Sequence, residues 1–465
     1  MDSFQLAVLT AARYNILPLT SSCNLRCLFC SHRQNPPGVE TRYLPPLKPE
    51  QVDTLLDFLD GTRKIVIGES ATRLIEGEPL THPDFLEILV RVRRRFPATT
   101  LEITTNGTLL TRELARALAD LGPLEINLSL NSASPAGRLK LMGDKQPETA
   151  LQAPLTLQQA GITYHGSLVA LPWIASWPDV RETILYLARS GARTIRIFLP
   201  GYTRLAPPEL RFPGTLRQQI EAELEHLRKQ TDVPLLLEPP CLNNLTPVVE
   251  GVIPGTPAAR AGLQRGDIIL AVDGQKPRSR VEAYRLINRP GRRHLVVQSR
   301  TAAAAPFRNE TTGSGPDTSL AGYKEQRHSL ALLVEKDGSG LTFSWDFDPD
   351  ILQEVEQACR HHHARRALIM TSELAGNVIK EAVAGFPWDL EVITAPSRFF
   401  GGSIACAGLL TLGDFKIAWQ EWRQDHNPVD LIILPAIAFD YRGFDLTGQH
   451  YLDLASATGV PVVPV

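Results

Sequence analysis

The chain has 465 residues, of which 43% are hydrophobic and 21% charged. This composition is typical of a folded globular protein of about two to four domains and excludes a fibrous or disordered chain. With a formal net charge of −2, nucleic acid is not favoured as the main partner. There is neither an apolar run of membrane-spanning length nor a signal-peptide pattern, so the sequence predicts a cytoplasmic protein without a membrane partner.

The first half of the chain alternates short β-like runs with helical stretches, from residue 15 to about residue 240. Strands that alternate with helices predict a parallel sheet covered by helices. Six such units indicate a partial barrel rather than a closed barrel of eight units. The predicted strands are residues 16–19, 64–67, 101–105, 125–130, 163–169 and 194–199.

Polar and apolar residues alternate strictly along several of these strands. Asn127, Ser129 and Asn131 share one face of their strand, because successive side chains point to opposite sides. If helices cover the apolar face, the polar face lines the lumen. An ordinary eight-stranded barrel fills its lumen with branched apolar residues, so a polar lumen predicts a chamber for a ligand. The alternative is a sheet with one face exposed to solvent.

Three of the six cysteines, Cys23, Cys27 and Cys30, lie in one short loop after the first predicted strand. Their thiolates could each hold one iron of a 4Fe–4S cluster and leave the fourth iron open, as a catalytic metal site requires. The open iron could bind S-adenosylmethionine (SAM), and an electron from the cluster would then release a 5′-deoxyadenosyl radical. The alternative from this loop alone is a zinc site with His32 as fourth ligand.

The cysteine loop and three later motifs resemble the radical SAM superfamily. The loop reads CNLRCLFC, with an aromatic residue, Phe29, before the third cysteine. In that family this aromatic residue packs near the adenine of SAM. Gly77-Glu78-Pro79 is similar to the GGEP segment of the family, whose backbone receives the methionyl amino group. Glu76 stands where the family has its first glycine.

The same resemblance implies further SAM contacts from the later strands. Thr105 and Asn106 belong to a Thr-Thr-Asn-Gly-Thr run that is similar to the family motif forming part of the cofactor pocket. Ser129 and Asn131 match family positions near the ribose and carboxylate of SAM. Arg196, on the last predicted strand, is a candidate ligand of the SAM carboxylate or of a substrate anion, with a salt bridge on the barrel exterior as the alternative.

The second half of the chain has a different character. Residues 245–300 resemble a PDZ domain of the bacterial type, residues 301–322 read as a linker, and residues 323–465 form another α/β region. Its Phe399-Phe400-Gly401-Gly402 run and the later Asp414 resemble the DUF512 domain of bacterial iron–sulfur oxidoreductases. The aromatic and glycine run is either a lid facing the chamber or a turn with buried phenylalanines.

The predicted fold class is α/β: a partial (β/α)6 radical SAM barrel over residues 1–240, a small PDZ-like β domain and a C-terminal α/β domain. The predicted function is cleavage of SAM at a 4Fe–4S cluster and hydrogen abstraction from a substrate, with a protein or peptide as a candidate. An electron donor such as a flavodoxin or ferredoxin is implied. The alternatives are an RNA-modifying radical SAM enzyme and a non-catalytic iron–sulfur and PDZ scaffold. No catalytic acid–base residue is assigned.

Overall fold

The computed structural model describes residues 2–39, 41–69, 73–302, 323–334 and 338–465. The chain divides into two compact units, one made of Met1–Cys241 with Gln353–Val465 and the other of Leu242–Leu352. Residues 323–352, assigned from the sequence to the C-terminal domain, thus fall in the smaller unit. The predicted linker, apart from residues 301 and 302, lies outside the described residues.

The N-terminal part of the larger unit contains a six-stranded parallel sheet, with strand order β2-β4-β5-β6-β7-β8. A two-stranded parallel ladder, β1 with β3, accompanies it. The strands are β1 (Arg42–Tyr43), β2 (Ile65–Ile67), β3 (Leu74–Ile75), β4 (Leu101–Thr105), β5 (Leu124–Ser129), β6 (Thr163–Val169), β7 (Ile195–Phe198) and β8 (Leu235–Glu238).

Nine helices lie in this part of the described chain. Their ends follow local chemistry: the first helix is capped at its N-terminus by Asp2, whose side chain accepts a hydrogen bond from the backbone N–H of Gln5, and at its C-terminus by left-handed Asn15. The helices are α1 (Ser3–Tyr14), α2 (Pro49–Leu56), α3 (Phe85–Arg95), α4 (Arg112–Asp120), α5 (Pro135–Met142), α6 (Glu148–Gln159), α7 (Pro172–Ala175), α8 (Trp177–Arg189) and α9 (Leu216–Leu227).

The sheet has six strands, as predicted, but one member differs. Residues 16–19 were expected to form the first strand, and the structure reduces them to a single parallel bridge between Ile16 and Val66. Pro18 lies in the middle of this segment and lacks the N–H that would continue the ladder. The sixth strand is instead β8, which the sequence pattern did not reveal.

The faces of the strands follow the predicted alternation. Ile103, Ile126 and Leu128 are fully buried in the main apolar core, together with helix residues such as Leu118 and Leu157. The polar residues between them on β4 and β5 are only partly buried. Because the helices cover the apolar face, the polar residues lie on the other face of the sheet, which is the lumen side of the partial barrel.

The smaller unit is built on a three-stranded antiparallel sheet of order β10-β11-β12 and a short ladder of β9 with β13. Asp273 and Gly274 both have positive φ and form the tight turn after β10. Its elements are β9 (Gly251–Val252), α10 (Pro257–Arg260), β10 (Ile268–Val272), α11 (Arg280–Ile287), β11 (Gly291–Ala302), β12 (Tyr323–Val334) and β13 (Leu341–Thr342).

The C-terminal part is a second parallel sheet, with strand order β15-β14-β16-β17. Its two central strands, β14 and β16, are apolar and buried along almost their whole length, as is usual for strands inside a parallel sheet covered on both faces. The elements are α12 (Ile351–His361), β14 (Arg366–Thr371), α13 (Gly376–Val383), β15 (Asp389–Thr394), α14 (Leu412–Trp422), β16 (Leu431–Leu434), α15 (Leu452–Thr458) and β17 (Val462–Pro464). Within the described ranges, no helix is both long and apolar enough to cross a membrane.

Candidate cofactor site and polar chamber

The cysteine loop lies against the end of α5. The backbone N–H groups of Arg26 and Leu28, on either side of Cys27, donate to the carbonyl oxygens of Met142 (3.0 Å) and Leu141 (2.8 Å). Leu25, Leu28 and Phe29 also pack on an apolar cluster that contains Leu141, Met142 and Leu171. Backbone hydrogen bonds and apolar packing therefore hold the loop against α5 and its neighbours.

The three thiols of this loop are within electrostatic range of one another. Burial, together with the smaller effect of the neighbouring Cys23 and Cys30, raises the pKa of Cys27 to about 12. Burial likewise raises the pKa of the Cys23 thiol, although part of this residue is exposed. Thiolates that repel one another in this way are stabilised when a cationic metal group binds them, so the donor set suits an iron–sulfur cluster.

No three histidine, cysteine or acidic side chains in the described part of the chain are gathered so as to hold a single metal ion. His32, the fourth ligand in the zinc alternative, lies on a short 3-10 helix after Cys30. The assignment of the three cysteines as cluster ligands stays a prediction.

Gly77 lies directly against the chain that leads into the cysteine loop. Its N–H donates to Thr20 O (2.9 Å), and the N–H of Glu78 donates to Ser22 O (2.8 Å). A Cβ atom at position 77 would come within 2.0 Å of Ser22 O, a backbone atom. This approach excludes every other residue without a shift of the backbone.

Glu78 joins this segment to the end of β4. One carboxylate oxygen accepts from Thr105 Oγ1 (2.6 Å) and from the N–H of Leu80 (3.3 Å), and the other accepts from the N–H of Asn106 (2.7 Å). Burial raises the pKa of Glu78 to about 7, while these hydrogen bonds oppose the rise. Its carboxylate is thus occupied within the protein and positions Thr105 and Asn106.

Asn106 in turn contacts the cysteine loop. Its Nδ2 donates to Asn24 Oδ1 (3.0 Å), Asn24 Nδ2 donates to Thr108 Oγ1 (2.7 Å), and this hydroxyl donates to Asn106 Oδ1 (2.6 Å). The closed triangle links the residue after Cys23 to the end of β4. Asn24 was not predicted as a site residue; its place within the cysteine motif was the available signal.

Ser129 and Asn131 lie at the end of β5 beside β6. Ser129 Oγ is 3.3 Å from Ser167 Oγ, and the Asn131 side chain bridges Ser129 O and the N–H of Val169. Asn131 has a φ of 61°, in the left-handed region that asparagine tolerates. The amide of Asn131 is therefore used to join two strands, while Ser129 faces the lumen.

Arg196 lies on the lumen side of β7, in register with Ser167. Its guanidinium is 5.1 Å from the centre of the Phe198 ring. In the part of the chain that the structure describes, this guanidinium makes no ion pair or hydrogen bond. Burial and, less strongly, Glu102 raise the pKa of Glu69, and the charge of Arg196 opposes this rise. Arg196 thus faces the lumen and not the barrel exterior.

The opposite end of the lumen holds a network of charges. Lys64 pairs with Glu125 and with Glu102 (3.3 Å), and His165 Nδ1 is 2.7 Å from Thr194 Oγ1. Burial lowers the pKa of His165 and favours its neutral form. These groups bind one another near the amino-terminal ends of the strands, which fits a structural histidine.

Arg138 is the principal site residue that the sequence did not reveal. It is fully buried on α5, and its guanidinium binds Asp144 (Nε–Oδ2 2.7 Å), Leu130 O (2.7 Å) and Asn106 O (3.3 Å). Its charge also favours the thiolate of Cys27. A single arginine in a short apolar helix was the only local signal, and a surface position explains such a residue equally well.

Two segments of the chain match models of known protein families. The family model of the radical SAM superfamily matches residues 17–187, which cover the cysteine loop, Gly77-Glu78, the end of β4 and the end of β5. Residues 17–187 form a radical SAM domain. The cofactors of this superfamily are a 4Fe–4S cluster and SAM. The model of the PDZ domain matches residues 248–299, in the smaller unit.

Several curated proteins are similar to part of the chain. The GTP 3′,8-cyclase of Aquifex aeolicus is 34% identical over 129 residues, which are 27% of this chain and 37% of that protein. The GTP 3′,8-cyclase of Chlorobaculum tepidum is 39% identical over 120 residues, 26% of this chain and 33% of that protein. The chain thus spans about a third to two fifths of the length of these relatives.

Solved structures give weaker likenesses. Streptococcus suis SuiB bound to S-adenosylmethionine has a TM-score of 0.35 and 15% identity, over 50% of this chain and 53% of that chain. The native anSMEcpe structure with bound AdoMet has a TM-score of 0.35 and 16% identity, over 48% of this chain and 62% of that chain. At such TM-scores neither structure supports a conclusion about this chain.

Proposed function

We propose that the chain is an enzyme that cleaves SAM reductively at a 4Fe–4S cluster and abstracts hydrogen from a substrate held in the polar chamber. The observation that carries this proposal is the meeting of three motifs at one end of the parallel sheet. Hydrogen bonds join Gly77-Glu78 to residues 20 and 22, just before the cysteine loop, and to the end of β4, where Asn106 also binds Asn24 of the loop.

In this proposal Cys23, Cys27 and Cys30 hold the cluster. When bound, the cluster supplies the electron that splits SAM into methionine and a 5′-deoxyadenosyl radical. The chain's own contribution is positional: the missing side chain of Gly77 leaves its backbone close to the loop, and the buried Glu78 holds the end of β4. Phe29, on the apolar side of the loop, is proposed to pack near the adenine.

The chamber walls favour a substrate with an anionic group. Arg196 has a guanidinium without a carboxylate partner among the described residues, and Ser129 and Ser167 lie on the neighbouring strands. A guanidinium offers paired donors to a carboxylate or phosphate. A protein or peptide substrate is the leading candidate, because the chain also carries a PDZ domain, a module that recognises extended peptides.

A nucleotide is the second candidate substrate. It is supported by the same guanidinium, which suits phosphate, and by the names of the relatives, GTP 3′,8-cyclases. Formation of 5′-deoxyadenosine by the reconstituted, reduced protein should be stimulated by peptides in the first case and by GTP in the second. Stimulation that is unchanged in Arg196→Leu would contradict the role proposed for this arginine.

The central test is SAM cleavage itself. The protein is reconstituted with iron and sulfide without oxygen, reduced chemically or with flavodoxin or ferredoxin, and assayed for 5′-deoxyadenosine by mass spectrometry. Cys27→Ala should lose both the cluster absorption and the product, whereas Cys241→Ala, an exposed cysteine outside the loop, should keep both. A wild-type protein that holds a cluster but never cleaves SAM would refute the proposed activity.

A further inference from the structure

The Phe-Phe-Gly-Gly run of the C-terminal part binds the radical SAM domain's barrel. We call residues 399–403 the docking loop. Its backbone pairs with residues 200–204, which follow β7: the N–H of Arg204 donates to Phe400 O (2.7 Å), and the N–H of Ser403 donates to Tyr202 O (2.9 Å). The Ser403 hydroxyl accepts from the N–H of Tyr202 and donates to Pro200 O, both at 2.9 Å.

The two glycines of the docking loop allow this close approach. Both have positive φ, 63° at Gly401 and 66° at Gly402, a region that glycine enters without strain. A Cβ atom on Gly402 would lie 2.1 Å from Tyr202 O, which is a backbone atom and cannot swing away as a side chain can. The double glycine therefore serves contact with the barrel, in addition to forming a turn.

The docking loop is also held firmly from its own side. Buried Asp414 accepts the N–H groups of Arg398 (2.8 Å) and Phe399 (3.0 Å) with one oxygen. Its other oxygen accepts the N–H and the hydroxyl of Thr411, both at 2.9 Å. Phe400 is only 2% exposed. Asp414 and Phe400, which belong with the two glycines to the DUF512-like motif of the sequence, thus fix the shape of the loop.

From residues 200–204 the contacts continue to the cysteine loop. The N–H of Thr203 donates to Oε1 of buried Gln34 (3.1 Å), and the Thr203 hydroxyl donates to the backbone carbonyl of Gln34 (2.6 Å). The side-chain amide of Gln34 reaches Cys30 O at 3.5 Å. Tyr202 packs on the same apolar cluster as Leu28 and Phe29. A continuous set of contacts thus runs from Asp414 to the third cysteine.

We infer that the C-terminal part, residues 353–465, is a structural component of the cofactor site, with Gly402 and Ser403 as positioning residues for the cysteine loop. They act through residues 200–204 and Gln34, which bind the loop beside Cys30 and cover its apolar face. Undocking would loosen the cover over the loop and admit water and oxygen to the cluster. The part of this inference that concerns the cluster rests on the proposed function; the coupling of the loops does not.

Hydrogen–deuterium exchange of the full-length protein without cluster tests the coupling. In Ser403→Ala, which removes one hydroxyl and its two hydrogen bonds, and in Gly402→Ala, amides of residues 23–34 and 200–204 should exchange several-fold faster than in the wild type. Gly385→Ala is the matched control, because nothing lies within 4 Å of a Cβ at that glycine, and it should exchange as the wild type does. Unchanged exchange at residues 23–34 in Ser403→Ala would overturn the inference.

The reconstituted protein provides the second readout. The visible absorption of the cluster should bleach several-fold faster in air in Ser403→Ala than in Gly385→Ala, at equal initial iron content. Equal bleaching rates would refute a protective role of the docking loop. A wild-type protein that binds no iron would contradict the proposed function. The exchange experiment would still decide the coupling of the loops, because it is measured on protein without a cluster.

Discussion

Replacement of Glu76 by glutamine should stabilise the protein at neutral pH. One carboxyl oxygen of Glu76, Oε1, is buried just before Gly77 and has no hydrogen-bond partner among the described residues, while the residue as a whole is partly buried. Burial alone raises the pKa of this carboxyl to about 9 from its ordinary value of 4.5. The folded protein therefore keeps a proton on Glu76 at pH 7, whereas the unfolded chain releases it.

The sign and size of the effect follow from this difference in bound protons. Because the folded-state pKa is raised, stability is lost as pH increases from 4.5 towards 9, at about 1.4 kcal/mol per pH unit. At pH 7 the loss amounts to about 3 kcal/mol. A glutamine stays neutral in both states, so Glu76→Gln should recover about that amount at pH 7 and little at pH 5.

Urea unfolding of the cluster-free protein, followed by circular dichroism between pH 5 and pH 8, measures this difference. Glu87→Gln is the control, since Glu87 is 54% exposed in a surface pair with Arg91 and should change stability by less than about 0.5 kcal/mol. If wild type and Glu76→Gln show the same pH dependence of the free energy of unfolding, the proposed burial of an unpaired carboxyl is wrong.

Two further substitutions test the packing of the cofactor site. Arg138→Met leaves Asp144 buried without its cation and should lower the free energy of unfolding, measured in urea, by about 3–5 kcal/mol. The double variant Arg138→Met with Asp144→Leu should recover most of this lost stability. Equal losses of stability in the two variants would contradict the ion pair. Gly77→Ala forces the backbone away from Ser22. After reconstitution this variant should bind several-fold less iron than the control variant Gly385→Ala. Equal iron contents in the two variants would refute the close approach of Gly77 to Ser22.

Much of the site is local in sequence and could therefore be predicted. The spacing of Cys23, Cys27 and Cys30 places three thiols on one loop, and strict alternation along β5 separates a buried face from a polar face whatever else the chain does. Motif resemblance brought Gly77, Glu78 and Asn106 to the same loop, where the structure joins them by hydrogen bonds. The predicted SAM contacts themselves stay predictions.

Other features depend on pairing between distant segments. Residues 16–19 form only a bridge beside β2, because Pro18 removes a ladder donor. Residues 235–238 add the sixth strand at the opposite edge, beside β7. The sequence made Glu78 a candidate cofactor-binding residue, and only the fold shows that its carboxylate accepts hydrogen bonds from Thr105 and Asn106.

The sequence by itself determined that three thiols share one loop and that one face of the strands is polar, because both arise from residues that are neighbours along the chain. The tertiary structure alone decided which partners complete them. Arg138 reaches Asn106 and Leu130 through the packing of α5, and Ser403 meets Tyr202 across 201 positions of sequence. Such contacts depend on close approach of folded elements, for which no local pattern of residues provides a signal.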